Sequence, residues 1–223
     1  MGRFPQGLGR LSYDDYWESR GFEFEKYLRE RELMMLSLIP PGSRVLDVGC
    51  GTSRLPLALK EKGCSVSVGD VSSIVLDGFR QYGIGAVTLD LDRVKEMPVE
   101  GHYNYIILSE VLEHMRNPEE VLQVLAASTD RFAITIPNSA FYRFRFELFF
   151  GGKFFKQWVI HPSEHLRFWS HTDFLEWLEA LGLTVEFARA SNGSSFKKLL
   201  PFLKDWWPNL FGHQMVYICR TDA

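Results

Sequence analysis

An acidic residue stands two positions before a Gly-x-Gly turn in the stretch VLDVGCGTS, where Asp47 precedes Gly49 and Gly51. A strand that ends in such a turn and leads into a helix allows a nucleotide to approach the backbone closely. Asp70 follows at the end of the next apolar stretch, where a carboxylate can accept both hydrogens of a ribose diol. Together these residues predict a site for a nucleotide-type cofactor.

The residues of this turn also indicate which of two kinds of cofactor it favours. A dinucleotide places its pyrophosphate at the start of the helix, and its fingerprint has a third glycine where this chain has Arg54. Asp47 would also add negative charge near that pyrophosphate. A cofactor that carries an ammonium and a sulfonium group is therefore favoured.

A second set of reactive side chains lies in EVLEH, where Glu110, Glu113 and His114 have the spacing i, i+3 and i+4. On a helix this spacing places them on one face. These donors suit magnesium, manganese, iron or zinc, and His165 is the candidate fourth ligand. Without a metal, Glu110 and His114 are the candidate catalytic residues, with His114 as general base. The alternative is structural, because acidic residues favour a helix start and His114 can be a packing residue.

The elements that must position these residues alternate along the chain. Apolar stretches predict strands at 44–48, 65–68, 86–89, 103–108, 131–136, 184–188 and 214–219. Helical patterns occupy 23–38, 55–62, 73–82, 118–127 and 172–181. This alternation predicts a parallel sheet covered by helices on both faces, with the ligand beyond the carboxyl ends of the strands.

We expect one domain over residues 1–223, with residues 1–43 as a helical lead. Two aromatic-rich segments, 139–171 and 192–212, are too long for plain connections and are predicted to form a cap over the substrate. Aromatic and basic residues are interspersed over 141–158, and 196–207 has the same character. Such segments either pack on the sheet or contact an acceptor or a membrane surface.

Composition excludes several classes of protein. The net charge of −3 argues against a nucleic-acid binder that works through overall charge. Three cysteines without paired spacing argue against a disulfide framework or a structural zinc knot. No apolar run approaches the length of a membrane span. We therefore expect a soluble, cytoplasmic protein, and its oligomeric state is not predicted.

In order and spacing, VLDVGCGTS, VGDVS, TLDLD and YIILSEVLEHMRNPEEVL resemble the successive motifs of class I S-adenosylmethionine (SAM) dependent methyltransferases over about residues 44–183. The resemblance implies an α/β fold, a Rossmann-like three-layer sandwich with a mostly parallel seven-stranded sheet and an antiparallel last strand. It also implies SAM as cofactor and S-adenosylhomocysteine as product. The residues it implies for cofactor binding are Asp47, Gly49, Cys50, Gly51, Asp70, Val71, Asp90, Leu91 and Ser109.

Within that pattern, Asp47 would lie near the amino group of the cofactor and Asp70 at the ribose hydroxyls. Asp90 would approach the adenine amine, Leu91 the adenine ring and Ser109 the methionine end.

The later stretches TIPNSAFYRFRFELFFGGK and EHLRFWSHTDFLEWL resemble the MetW-like branch of methyltransferase types 11 and 12. At Glu110, Glu113 and His114 the chain departs from that branch. The ExxEH pattern that these three residues form is similar to that of ubiquinone-biosynthesis O-methyltransferases (the UbiG group) and of small-RNA 2'-O-methyltransferases (the Hen1 family). These likenesses predict an enzyme that O-methylates a small molecule, either with or without a divalent metal that assists the reaction. N-methylation stays open. The alternatives are a non-catalytic partner in methionine biosynthesis, a metal-dependent RNA 2'-O-methyltransferase and, last, a nicotinamide oxidoreductase.

Overall fold

One seven-stranded sheet organises the chain in this computed structural model, which describes residues 13–154, 165–193 and 202–221. The order of strands across the sheet is β3-β2-β1-β4-β5-β7-β6. In chain order the strands are β1 (Arg44–Val48), β2 (Ser65–Asp70), β3 (Gly85–Thr88), β4 (Tyr103–Ser109), β5 (Thr129–Pro137), β6 (Leu183–Gly193) and β7 (Gly212–Thr221).

The neighbouring pairs from β3 across to β5 are parallel, and β7 runs antiparallel to both β5 and β6. The expected sheet, mostly parallel with an antiparallel last strand, is therefore confirmed. β6 and β7 are longer than predicted because their pairing extends to Asn192 with Gln214 and Gly193 with Gly212. The segment 192–212 thus begins and ends inside the sheet.

Helices cover both faces of the sheet, as the alternation of strand side chains requires. Val45 of β1 packs in a cluster with Met35 and Leu55, whereas its neighbour Leu46 packs on the opposite face with Leu125 and Phe174. The helices are α1 (Tyr13–Arg20), α2 (Glu30–Leu38), α3 (Leu55–Glu61), α4 (Ser73–Arg80), α5 (Pro118–Ala126), α6 (Tyr142–Gly151), α7 (His171–Ala180), α8 (Leu203–Trp206) and α9 (Pro208–Phe211).

The prediction of a helix over 23–38 is wrong at its start, because the helix begins at Glu30 in the structure. Arg29 has an extended backbone, and its N–H donates to the Glu32 carboxylate at 2.7 Å. This capping interaction fixes the helix start. The apolar residues before it are used elsewhere: the Phe24 ring packs 4.9 Å from that of Phe79 on α4.

A buried asparagine joins the two aromatic-rich segments. The Asn138 side chain donates to the Gly212 carbonyl at 2.7 Å and accepts from the N–H groups of Ala140 and His171. Residues 155–164 and 194–201, which include parts of the aromatic-rich segments 141–158 and 196–207, lie outside the described part of the chain. Among the described helices, none is long and apolar enough to cross a membrane.

Candidate functional site

Four strand ends bring the predicted cofactor residues to one edge of the sheet. β1 lies between β2 and β4, and β3 lies beside β2, all parallel. The turn after β1 is tied to β2, because the Gly49 N–H donates to the Gly69 carbonyl at 2.7 Å. The β3 end is tied to β2 in the same way, with the Leu89 N–H donating to the Asp70 carbonyl at 3.0 Å.

The turn after β1 requires glycine at two positions. Gly49 has φ +68° and Gly51 has φ +50°, a region in which residues with a Cβ atom are strained. A Cβ atom at Gly49 would also lie 2.8 Å from Val111 Cγ2. The turn therefore brings bare backbone to the point where β1 and β4 end.

Carboxyl groups surround this turn. Asp70 accepts hydrogen bonds from the N–H groups of Ser72 at 2.9 Å and Gly51 at 3.3 Å. Burial raises the pKa of Asp70, and it raises the pKa of Asp47 well above its usual range, with the charges of Glu32 and Asp70 adding to the shift of Asp47. The Asp47 Oδ1 atom is buried without a hydrogen-bond partner among the described residues. A cationic ligand would relieve both the repulsion and the missing partner.

The remaining predicted cofactor residues lie around the same edge. Val71 is exposed directly after Asp70, and Cys50 is buried in the turn, where burial raises the pKa of its thiol well above the usual range. Asp90 accepts from the Asp92 N–H at 3.0 Å and so begins a 3-10 helix, Leu91–Arg93, whose Leu91 packs in the core. The positions of these four residues are compatible with the roles predicted for them in cofactor binding.

Ser109 lies at the end of β4. Its hydroxyl forms a 3.0 Å hydrogen bond with Thr135 of β5. A cavity of about 310 Å³ lies between the 3-10 helix Leu91–Arg93 and residues 115–121. Its size is within the range of small-molecule pockets, and it borders the position predicted for the adenine ring.

The segment before β1 lies against the cofactor turn, which the sequence did not indicate. Asp14 of α1 accepts from the Ser72 hydroxyl at 2.6 Å, and the Glu25 N–H donates to the Thr52 carbonyl at 2.9 Å. The Ser53 hydroxyl donates to Glu32 on α2 at 2.9 Å. These contacts join residues far apart in the chain, so no local pattern could reveal them.

The turn after β4 differs from the predicted helix start. Glu110 has φ +57°, the only positive φ of a non-glycine residue in the described ranges, and a short 3-10 helix, Leu112–His114, follows it. The inference that Glu110, Glu113 and His114 share one face of an α-helix is therefore wrong. A non-glycine residue in this conformation costs of order 1–3 kcal/mol and occurs most often at functional sites.

Three of the four predicted metal ligands lie together. The ligand atoms of Glu113, His114 and His165 are all within 4.8 Å of one another, and the two imidazole rings are 4.7 Å apart between centroids. The Glu113 carbonyl accepts from the N–H groups of Leu166 and Arg167, which attaches the segment of His165 to this turn. Glu110 is not a member of this group of three.

Glu113 carries a buried carboxylate, and neither oxygen accepts a hydrogen bond from another described residue. Burial raises the pKa of Glu113 well above its usual range, and the charge of Glu110 adds to the shift. A buried carboxylate without donors is costly unless a cation or a proton compensates it. With two imidazole nitrogens, it forms a donor set of the kind that holds a divalent metal.

Glu110 belongs to a separate, partly buried network that the sequence did not indicate. Its carboxylate accepts from Gln214 Nε2 at 2.9 Å and from the Thr135 hydroxyl at 3.3 Å, and the Gln214 Oε1 atom accepts from Arg31 at 3.1 Å. Burial raises the pKa of Glu110, and the Arg31 charge acts in the opposite direction. Arg31 is itself buried, with its Nε atom unpartnered among the described residues.

Comparison with known proteins gives a family match over most of the chain. The family model described as methionine biosynthesis protein MetW matches residues 29–219. A bifunctional methionine biosynthesis protein MetXA/MetW from Rhodopirellula baltica is 27% identical over 123 residues, which are 51% of this chain and 20% of that protein. A ubiquinone biosynthesis O-methyltransferase from Bordetella avium is 34% identical over 91 residues, which are 39% of this chain and 38% of that protein.

The chain therefore matches well under half the length of these two curated relatives. Among solved structures, magnesium protoporphyrin IX methyltransferase from Synechocystis with bound SAM has a TM-score of 0.60 and 14% sequence identity. The match covers 94% of this chain and 95% of that one. At this identity the likeness concerns the fold, which is that of SAM-dependent methyltransferases.

Proposed function

This chain belongs to the MetW family, and from that premise we propose that it binds SAM and transfers the SAM methyl group to an acceptor. The observation that carries the proposal is the convergence of Asp47, Gly49, Gly51 and Asp70 at adjacent strand ends. The Synechocystis methyltransferase, which has this fold, was solved with SAM bound.

Each of these residues has a distinct proposed task. Gly49 and Gly51 admit the methionine part to the backbone, because a side chain at Gly49 would close the turn. The buried Asp47 carboxylate pairs with the ammonium group, and Asp70 accepts the ribose hydroxyls. Asp90, Leu91 and the neighbouring cavity receive the adenine, and Ser109 lies at the methionine end.

A calorimetric titration tests cofactor choice directly. We expect saturable one-to-one binding of S-adenosylhomocysteine and no saturable binding of NAD⁺, because Asp47 repels a pyrophosphate at this turn. Saturable NAD⁺ binding without S-adenosylhomocysteine binding would contradict the proposal and favour an oxidoreductase.

We further propose that the acceptor is a small molecule methylated on oxygen, in a site built from Glu113, His114 and His165. The two aromatic-rich segments joined by Asn138 form the cap over this acceptor. The Bordetella relative is described as an O-methyltransferase, which supports oxygen over nitrogen as the methylated atom.

The three side chains suit a divalent metal. Zinc with ligand bonds of about 2.0–2.2 Å separates its ligands by roughly 3–4 Å, so atoms already within 4.8 Å of one another need only a small closure. When bound, such an ion lowers the pKa of a hydroxyl and orients it. Glu110, which accepts hydrogen bonds from Gln214 and Thr135, is then the base that takes the proton from the hydroxyl group to be methylated. Without a metal, His114 takes that role.

Calorimetric titration of zinc, manganese and magnesium into protein saturated with S-adenosylhomocysteine tests this site. We expect one ion to bind, with affinity reduced about tenfold or more in Glu113→Gln and His165→Ala, because each removes a ligand. Glu110→Gln is the matched control, because Glu110 is a half-buried glutamate of the same turn that lies outside the group of three. Its metal affinity should change less than about threefold, within the context-dependence of a nearby charge.

Two results would contradict the metal site. No binding to the wild type would leave His114 as the candidate general base. Equal binding by Glu113→Gln and the wild type would place the ion elsewhere. If Glu110→Gln also lost the ion, the four ligands predicted from the sequence, which include Glu110, would be favoured over the group of three.

A second candidate function is a non-catalytic role in methionine biosynthesis. The observation in its favour is the Rhodopirellula relative, in which a MetXA part and a MetW part share one chain by name. In this case the chain would bind S-adenosylhomocysteine and form a complex with a MetXA-type protein, without methylating any acceptor. Size-exclusion chromatography of the two proteins together, beside methyl-transfer assays on catechols and other hydroxyl compounds, separates the two functions.

A further inference from the structure

A chain of aromatic rings runs along the surface from α6 to α8. We call these residues the aromatic ridge: Phe149, Phe150, Phe146, Tyr142, Phe211, Trp207 and Trp206. Successive ring centroids along it are 4.8, 5.6, 6.5, 6.0, 6.4 and 6.2 Å apart. The ridge is therefore one continuous apolar feature, although its members come from two separate segments.

The ridge is not part of the core. α6 has no buried residue along its length, and Phe149, Phe150 and Trp206 are 81%, 74% and 72% exposed. Large aromatic side chains normally contribute their area to a core or an interface. A contiguous exposed patch of this kind marks a surface that another molecule covers.

The shape of the ridge favours an interface with lipid. Leu148, Phe149 and Phe150 are consecutive and all exposed, so they project from more than one side of the C-terminal end of α6. Such an end is a protrusion rather than a groove. An interfacial helix buries apolar side chains about 5–10 Å into the headgroup region, and tryptophans such as Trp206 and Trp207 prefer that region.

The charges beside the ridge favour anionic lipid. Residues 142–154 carry three basic side chains, Arg143, Arg145 and Lys153, against one acidic side chain, Glu147, in a chain of net charge −3. Arg145 also joins the two parts of the ridge, because it donates to the carbonyls of Ala140 and Asn209. Basic residues of this kind attract a negatively charged membrane surface.

We propose that the aromatic ridge docks this protein on the surface of an anionic membrane as a peripheral contact. Phe149 and Phe150 enter the headgroup region, and Arg143 and Lys153 contact lipid phosphates. The acceptor side of the molecule adjoins the ridge, since Phe141 at the start of α6 closely follows the end of β5. The proposal is independent of methyl transfer and holds whether or not the chain is an enzyme.

Flotation of the full chain with vesicles tests the proposal. We expect binding to vesicles of phosphatidylcholine mixed with phosphatidylglycerol, and binding at least about tenfold weaker to phosphatidylcholine alone. The double variant Phe149→Glu/Phe150→Glu should lose about tenfold or more, because it removes the inserted area and adds negative charge. Lys153→Glu should lose a few fold, and more salt should reduce that loss.

Tyr27→Glu is the control for a glutamate at an exposed aromatic position, since Tyr27 is 73% exposed and lies outside the ridge. It should bind vesicles like the wild type. Thermal unfolding checks that every variant is folded, which we expect because the changed side chains are exposed.

Three results would overturn the proposal. These are no vesicle binding by the wild type, equal binding to neutral and anionic vesicles, and equal loss in Tyr27→Glu and in the double variant. Concentration-dependent dimers that disappear in the double variant, without vesicle binding, would instead assign the ridge to self-association.

Discussion

The proposed cofactor side, around the turn after β1, and the proposed acceptor side, around the turn after β4 and α6, are built in opposite ways. On the cofactor side, short backbone hydrogen bonds such as Gly49 to Gly69 fix the turns, and the strand ends are parallel neighbours. On the acceptor side, the turn after β4 holds Glu110 at a positive φ and buries the Glu113 carboxylate, to which no other described residue donates a hydrogen bond. Beyond it, α6 buries none of its residues.

The difference indicates where each side obtains its specificity. On the cofactor side, backbone hydrogen bonds fix the turns, and the buried Asp47 carboxylate lacks both charge compensation and a hydrogen-bond partner for Oδ1 among the described residues. A cationic ligand would supply both. On the acceptor side, the described residues leave the Glu113 carboxylate without a hydrogen-bond donor from another residue and leave the aromatic ridge exposed. We infer that the first side serves a ligand common to the fold, and the second serves ligands particular to this chain.

The largest expected effect falls on the cofactor side, with Gly49→Ala. The added Cβ atom would lie 2.8 Å from Val111 at a positive φ, and it would occupy the approach of the cofactor. We expect affinity for S-adenosylhomocysteine to fall about a hundredfold or more. Gly42→Ala is the matched control, with φ +79° but no atom within 4 Å of its added Cβ atom.

Gly42→Ala should cost stability alone, about 1–2 kcal/mol for the left-handed conformation, and should bind S-adenosylhomocysteine normally. Chemical denaturation and calorimetry measure the two quantities. Equal cofactor affinity in Gly49→Ala and the wild type would remove this turn from the site.

A smaller effect is expected from Asp70→Asn. The variant keeps an acceptor for the Ser72 N–H but loses the charge that strengthens hydrogen bonds to the ribose hydroxyls. Affinity for S-adenosylhomocysteine should fall about tenfold to a hundredfold, the value of a hydrogen bond to a charged group. Asp77→Asn, at an exposed ion pair with Arg80, should leave the affinity unchanged. An equal loss in both variants would show that the effect is not specific to the ribose site.

The smallest expected effect is on the stability of the ligand-free protein, in Asp47→Asn. Burial raises the pKa of Asp47 on folding, and Glu32 and Asp70 add to the shift. A carboxyl group of this kind stabilises the fold below its unfolded pKa of about 3.9, and that contribution is lost as pH rises through the folded pKa. Asparagine does not ionise, so the variant should be more stable than the wild type at neutral pH.

The gain should shrink as pH falls towards about 4, where the Asp47 carboxyl group is protonated in the unfolded chain as well. Thermal unfolding across this pH range measures it. The same variant should bind SAM more weakly, because the ammonium group loses its counter-charge. Lower stability than the wild type at neutral pH would show that Asp47 is not strained by its neighbours.

Sequence patterns predicted the sheet because alternation of strands and helices is a local signal. They also located β1 and β2, so the residues predicted to bind the cofactor, Asp47, Gly49 and Asp70, lie at or next to strand ends. They failed where distant residues decide the structure. The helix predicted from residue 23 begins at Glu30 because the Arg29 N–H donates to the Glu32 carboxylate at the helix start. Phe24 packs on Phe79 instead of joining the helix.

The same limit applies within the acceptor side. The i, i+3, i+4 spacing predicted one helical face, yet the backbone at Glu110 turns into a 3-10 helix and separates Glu110 from His114. The link between Glu110 and Gln214 spans 104 positions, so neither residue reveals it alone. His165 was predicted as a ligand because its residue type suits a metal, and it lies beside Glu113 and His114 although the argument from helical spacing was wrong.

The most direct test of the two-sided account is a crossed calorimetric titration, with S-adenosylhomocysteine and zinc each titrated into Asp70→Asn and Glu113→Gln. We expect Asp70→Asn to lose affinity for S-adenosylhomocysteine and to keep the metal, and Glu113→Gln to lose the metal and to keep S-adenosylhomocysteine. Wild-type affinities for both ligands in both variants, or the loss of both ligands in either folded variant, would contradict it.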